Sequence, residues 1–120
     1  MHNVYKALVV LILSKMATKS LFLDTFGDTP LLRVIEFFLT YPDFDYTKSY
    51  AAKETGVSRV TIEKIWAKLI KTGIIMKSRA IGKVNMWQLN RESPKVKVLM
   101  QTAIRLSLGQ LENAKARALA

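Results

Sequence analysis

Residues 53–73 read KETGVSRVTIEKIWAKLIKTG, and a single glycine divides this stretch into two segments of helical periodicity. Gly56 favours the left-handed backbone that ends a helix, and Ser58 is a preferred cap for the helix that follows. The spacing therefore predicts one helix over residues 48–55 and a second over residues 59–72, joined by a sharp turn.

The second of these helices has one apolar face and one basic face. The apolar side chains at helical spacing are Ile62, Ile65, Trp66, Leu69 and Ile70. The outward side chains are Arg59, Val60, Thr61, Glu63, Lys64, Lys68 and Lys71. Ala52, in the shorter helix, is small enough to let the two helices cross closely. Trp66, and Trp87 further along, are predicted to pack in the core rather than to stack on bases.

Upstream, the phrase FGDTPLLRVIEFFLTYPDF predicts another helix. Asp28 or Thr29 can cap it, and Pro30 suits its first turn, where a backbone N–H is not needed. An apolar stripe follows at helical spacing: Leu31, Val34, Ile35, Phe38 and Leu39. Pro42 ends the helix. The sequence FDY at residues 44–46 predicts a short strand, after which Thr47 caps the helix over residues 48–55.

Downstream of Gly73 the apolar period changes from helix to strand. Residues 74–79 and 83–89 predict a hairpin with Gly82 in its connection. Ser93 and Pro94 then begin a long terminal helix. Its stripe consists of Val96, Leu99, Ala103, Leu106 and Leu111. A striped helix with no following element to pack on favours a partner chain, although it could also fold back on its own domain.

The N-terminal segment contains an apolar run over residues 7–13. This run is shorter than the roughly 20 residues that span a membrane. We expect a buried or partner-facing helix over this region. A signal peptide is the alternative, since Lys6 precedes the run, but Lys15 and Lys19 on its far side disfavour it.

Composition excludes several kinds of chemistry. The 120 residues hold one domain or one domain with an added helix, and half of them are hydrophobic, enough for a packed core. The chain has no cysteine, and its one histidine is His2, so thiolate, zinc-thiolate and histidine chemistry are not expected. The pairs Asp24 with Asp28 and Asp43 with Asp45 suggest a magnesium nuclease only weakly. We expect no enzyme activity, no cofactor and no metal.

The net charge of +10 is concentrated in one segment. Residues 46–91 carry ten bases against two acids, a net charge of +8, whereas residues 31–45 have a net charge of −2. A basic face attracts nucleic acid first and an anionic membrane second. The alternative is the solvated, lysine-rich surface of a thermophilic protein.

The predicted order is helix, short strand, helix, turn, helix and hairpin. Over residues 28–91 this order resembles the winged helix-turn-helix family of DNA-binding domains. The segment YAAKETGVSRVTIEKIW is similar to the core of that family, and its small, turn and buried positions fall on Ala52, Gly56, Val57, Ile62 and Ile65. The phrase LFLDTFGDTP resembles a subgroup of archaeal transcriptional regulators. The expected fold is mainly α with a small β-hairpin (α+β), with domain parts 1–27 (helix and connector), 28–91 (winged helix) and 92–120 (dimerisation helix).

The resemblance implies DNA-contacting roles for individual residues. In the third helix of the domain these are Ser58, Arg59, Thr61, Lys64 and Lys68. Arg59 is the candidate for reading guanine, unless it pairs with Glu63 four residues on. Thr47 and Lys48 match the phosphate-contacting start of the preceding helix. The hairpin corresponds to the wing of this family. Arg79 and Lys83 flank its tip and match the basic residues that wings place near the minor groove. The alternative is a hairpin that is only solvated.

These patterns predict sequence-specific binding of double-stranded DNA by a cytoplasmic, nucleoid-associated homodimer that regulates transcription without entering a membrane. Two other classes remain open. A sequence-neutral architectural or plasmid-partition protein would bind DNA with little base preference. A winged-helix protein-interaction module would bind little DNA, and its terminal apolar helices would carry the function.

Overall fold

The structure is a computed structural model that describes residues 21–119. Five helices and two strands lie in this range. In chain order they are α1 Leu21–Phe26, α2 Pro30–Thr40, α3 Lys48–Thr55, α4 Arg59–Lys71, β1 Ile75–Ile81, β2 Val84–Leu89 and α5 Pro94–Leu119. The predicted class, mainly α with a small β-hairpin, is confirmed. The apolar run over residues 7–13, and the signal peptide considered for it, lie outside the described residues.

Side-chain caps explain where three of the helices begin. The hydroxyls of Thr29, Thr47 and Ser58 each accept a bond from the backbone N–H three residues ahead, at 3.2, 3.1 and 3.3 Å. Each bond satisfies an N–H that the helix itself leaves unpaired. Helix α3 ends at Gly56, whose φ of 70° lies in the left-handed region and whose N–H donates to Ala52 O. The predicted turn therefore has the predicted cause.

The core is formed by apolar side chains from all parts of the described chain. Those exposed by less than 2% include Val34, Phe38, Ala51, Trp66, Leu69 and Val96. Ala52, the small residue of the predicted helix crossing, is half-buried and packs against the core, and Ala51 beside it is fully buried. One prediction about the core was wrong. Ile70, predicted on the buried face of α4, is 41% exposed, because the face of α4 that packs on the core is formed by Ile62, Ile65, Trp66 and Leu69.

Strands β1 and β2 form one antiparallel hairpin, with Ile75 opposite Leu89 and Ile81 opposite Val84. Its connection is shorter than expected, because β1 continues two residues past Arg79. The predicted strand at residues 44–46 is reduced to a single bridge. There Tyr46 and Trp87 exchange two backbone hydrogen bonds, both at 2.8 Å.

Helix α5 divides into a packed part and an exposed part. Val96 is fully buried, and Leu99, Met100, Ala103 and Leu106 pack against the core, where α5 meets α1 and α2. From residue 111 to residue 119 every side chain is exposed. The first part thus follows the fold-back alternative. Across residues 21–119, none of the helices combines the length and the apolarity that a membrane crossing requires.

Candidate nucleic-acid interface

The orientation of α4 is fixed by four buried side chains: Ile62, Ile65, Trp66 and Leu69. The Trp66 ring lies 5.5 Å from that of Phe38 and meets Trp87 edge-on at 6.4 Å between centroids. Trp66 thus joins α2, α4 and β2 through two aromatic contacts. Its packing in the core was predicted. With this face fixed, the opposite face of α4 must lie toward solvent.

The solvent face of α4 is a row of cations without acidic partners. Arg59, Lys64, Lys68 and Lys71 are all exposed, and none of them forms an ion pair within residues 21–119. Val60, between them, is 71% exposed. Cations that have no internal partner keep their full charge for an external anion. The outward placement predicted for these residues is confirmed.

Ser58 and Thr61 are occupied with each other at the start of α4. The Ser58 hydroxyl accepts the Thr61 N–H and donates to Thr61 Oγ1 at 2.9 Å. Thr61 is half-buried rather than outward, which corrects its predicted exposure. Its hydroxyl therefore braces the cap, and Arg59 and Val60 are the residues of the first turn that lie open to solvent.

The alternative pairing of Arg59 with Glu63 does not occur in the structure. Glu63 instead accepts a bond from Lys48 Nζ at 2.9 Å. This ion pair joins the start of α3 to the middle of α4. It frees Arg59 and holds Lys48, whose side chain is 35% exposed. Thr47, beside it, serves as the cap of α3.

Arg79 lies midway along the wing, paired with Met86, and its side chain is bonded to Asp45 in the body of the domain. Its guanidinium donates to both Asp45 oxygens, at 2.8 and 3.3 Å, and the Ser78 hydroxyl donates to the same carboxylate at 2.6 Å. Arg79, and after it Ser78, hold the pKa of the Asp45 carboxyl below its ordinary value. Sequence reasoning placed Arg79 beside the tip and missed this clamp.

A β-bulge explains how Arg79 reaches Asp45. Lys77 pairs with Trp87 and Arg79 with Met86, so Ser78 is an extra residue in β1. Directly paired residues share a face of the sheet, and neighbours along β2 face opposite ways. Arg79 therefore lies on the face opposite to Lys77, although the two are only two residues apart.

The wing tip carries exposed apolar side chains beside its lysine. Lys83 is exposed, as expected, but Ile81 and Val84 beside it are 55% and 51% exposed. Lys77 on β1 is a further exposed cation. Sequence reasoning left Lys77 out of the candidate site, although it lies in the basic segment 46–91 and at the start of the predicted wing, KSRAIGKVN. Within the residues that the structure describes, no group of histidine, cysteine or acidic side chains could hold a metal ion.

Solved structures with the same fold were found by comparison. One is a variant of Lactococcus lactis ZitR in the apo form, 16% identical over 80% of this chain and 72% of that chain, with a TM-score of 0.56. Another is a ZitR variant in complex with DNA, 18% identical over 71% of this chain and 60% of that chain, with a TM-score of 0.52. These likenesses show that the chain has the winged helix-turn-helix fold, as the resemblance implied.

The chain spans about 60% of the length of the first ZitR structures that it matches. No family model and no curated protein matches the sequence. The archaeal resemblance and the division into domain parts remain predictions.

Proposed function

We propose that this protein binds double-stranded DNA at preferred sequences and regulates transcription, with α4 in the major groove. The observation that carries the proposal is the row of cations Arg59, Lys64 and Lys68 on α4, which form no ion pair with residues 21–119 and lie opposite the packed face. Binding of DNA by a ZitR variant of the same fold supports it. We assign no catalysis and no cofactor to the protein, and place it in the cytoplasm with the nucleoid.

Position along α4 decides which residues recognise bases and which contact phosphates. Arg59 stands in the first turn, where a recognition helix approaches base edges, and its guanidinium can donate two bonds to guanine O6 and N7. Lys64 and Lys68 lie five and nine residues further along α4, and they neutralise DNA phosphates. Phosphate neutralisation makes the affinity fall with salt, with a log–log slope of roughly −0.9 per phosphate.

The secondary contacts are proposed at the start of α3 and at the wing. Thr47 and Lys48, together with the N-terminal amides of α3, face the DNA backbone. Lys83 contacts the DNA that flanks the major-groove site. Arg79 acts there by positioning the wing, since its bonds to Asp45 tie the middle of the hairpin to the domain. Ser58 and Thr61 contribute mainly by capping α4.

We further propose that two copies associate through their terminal helices. The exposed end of α5, residues 111–119, extends past the packed part of the helix and includes Leu111, which is 41% exposed. Such a helix end gains stability by pairing with a second apolar stripe. A dimer would set the spacing of two half-sites on the DNA.

Selection of binding sites from random duplex DNA tests the proposed function. We expect a preferred, two-fold symmetric site, and we expect Arg59→Ala to cost about 1–3 kcal/mol at that site and to relax one base position. Arg105→Ala, which removes an exposed cation of α5 instead, is the matched control and should leave the base preference unchanged.

Other outcomes of the selection contradict the proposal in distinct ways. Salt-sensitive binding without any preferred sequence would indicate the architectural or partition alternative. Negligible binding at low salt would indicate a protein-interaction module. An Arg59→Ala variant with unchanged preference would remove Arg59 from the reading role.

A further inference from the structure

A cavity of about 560 Å³ lies between α2, the segment 41–46 and α3. Its size falls within the range of sites for small molecules, about 300–1,000 Å³. None of its lining residues belongs to α4 or to the hairpin. The proposed contacts of Arg59, Lys64 and Lys83 with DNA leave this cavity unused.

The walls of the cavity are unusually aromatic. Phe37 and Tyr46 have ring centroids 4.6 Å apart, and Tyr46 and Tyr50 are stacked at 5.7 Å with only 4° between their planes. Phe44 is 61% exposed and Tyr50 46% exposed at this cavity. Ring faces carry negative potential, so an assembly of rings attracts cations and cationic aromatic groups.

The charged groups of the lining favour the same kind of ligand. Glu36 and Glu54 are its acids, and Arg33 is its one cation. Arg33 donates to both oxygens of Asp28, at 2.5 and 3.1 Å, so its charge is balanced beside the cavity. The exposed Glu54 carboxylate thus gives this aromatic cavity an acidic edge on a protein with a net charge of +10.

We propose that this cavity binds a small organic cation, such as a quaternary or aromatic ammonium. The rings of Tyr46 and Tyr50 would contact its cationic face, and the Glu54 carboxylate would balance its charge. A strongly hydrated inorganic cation would gain little from ring faces, and an anion would be repelled by the Glu54 carboxylate. This inference goes beyond the proposed function and is independent of DNA binding.

Titration calorimetry without DNA tests the proposal, with benzyltrimethylammonium as the probe and benzoate as its anionic counterpart. We expect the cation to bind and benzoate to bind more weakly at equal ionic strength. Glu54→Gln removes one charge from an exposed position and should weaken binding about two- to fivefold. Tyr50→Leu removes one ring face and should weaken it by a similar factor.

The matched control is Glu92→Gln, which removes an exposed acid outside the cavity lining and should leave the affinity unchanged. Absence of binding at millimolar cation would overturn the proposal, and so would tighter binding of benzoate. Equal weakening by Glu54→Gln and Glu92→Gln would show a general effect of net charge and would also overturn it. Because DNA is absent, none of these results bears on the function proposed for α4.

Discussion

Helix α4 and the wing both present arginine near solvent, yet they hold it differently. Arg59 on α4 has no acidic partner within the described residues, whereas Arg79 on β1 is bonded to Asp45 and shares that carboxylate with Ser78. The contrast teaches that exposure and availability are separate properties. Arg79 is 62% exposed at its side chain, but a DNA phosphate would have to compete with a carboxylate for it.

The two regions also depend on the core to different degrees. Four side chains of α4 are buried, whereas in β1 only Ile75 is buried and the six residues after it are exposed. The direction of α4 is therefore fixed by packing of apolar side chains. The wing is anchored by packing only where it leaves the core, at Ile75, Trp87 and Leu89, and further along β1 the contact with the domain is the ion pair of Arg79 with Asp45.

Replacing Trp66 should give the largest effect, because it removes the anchor of α4. Trp66→Ala opens a cavity between α2, α4 and β2, and we expect a loss of about 3–5 kcal/mol in the free energy of unfolding, measured with denaturant. Trp66→Phe should cost less. Phenylalanine still fills part of the site with an aromatic ring, and it removes a buried indole N–H that has no hydrogen-bond partner among the described residues.

The control in the wing is Ile81→Ala, at an exposed tip position. We expect its free energy of unfolding to stay within about 0.5 kcal/mol of the parent, as for most surface changes. A loss comparable to that of Trp66→Ala would mean that the wing tip, too, is held by packing, and the contrast between the two regions would fail.

Removing the cap of α4 should have an intermediate effect. Ser58→Ala leaves the Thr61 N–H without its partner and should lower the free energy of unfolding by about 0.5–2 kcal/mol. Ser58→Gly is the matched variant, because glycine at this position costs only a few tenths of a kcal/mol. Thermal and denaturant unfolding would compare them; equal losses for alanine and glycine would show that the cap has no specific role.

Breaking the ion pair of Asp45 with Arg79, midway along the wing, should have a small effect that depends on pH. Because the folded state lowers the pKa of Asp45, the carboxylate stabilises the fold above its ordinary pKa of about 4 and loses this contribution as the pH falls further. Asp45→Asn should therefore lower Tm slightly at neutral pH. The difference from the parent should shrink below about pH 4.

Asp43→Asn provides the comparison for that experiment. The ion pair of Asp43 with Arg91 is more exposed, since the Asp43 side chain is 64% exposed against 17% for Asp45, and it should change Tm even less. A Tm difference for Asp45→Asn that stays constant from neutral to acid pH would contradict an ionised clamp.

Helix boundaries followed from the sequence because local signals set them. Thr29, Thr47 and Ser58 act as caps, and Gly56 takes the left-handed backbone, as the residue types alone indicated. The exposed face of α4 followed from periodicity in the same way. The prediction failed for Ile70, since the exact rotation of a helix is decided by which neighbours it packs against.

The partners of charged residues could not be predicted from the sequence. The pair Lys48–Glu63 joins residues 15 apart and the pair Arg79–Asp45 joins residues 34 apart. Strict alternation along β1 would place Lys77 and Arg79 on the same face, and nothing local announces the extra residue. The wing was therefore the less predictable half of the candidate site, and the cavity beside α2 had no sequence signal at all.

The single additional residue in β1 also bears on how such wings could diverge. Because Ser78 shifts every later position of β1 to the other face of the hairpin, loss of one amino acid there would invert which side chains of the wing tip lie on each face. None of those side chains would itself need to change. The length of β1 therefore decides which face of the hairpin each later side chain occupies. An insertion or deletion there can change the surface of the wing as much as a substitution.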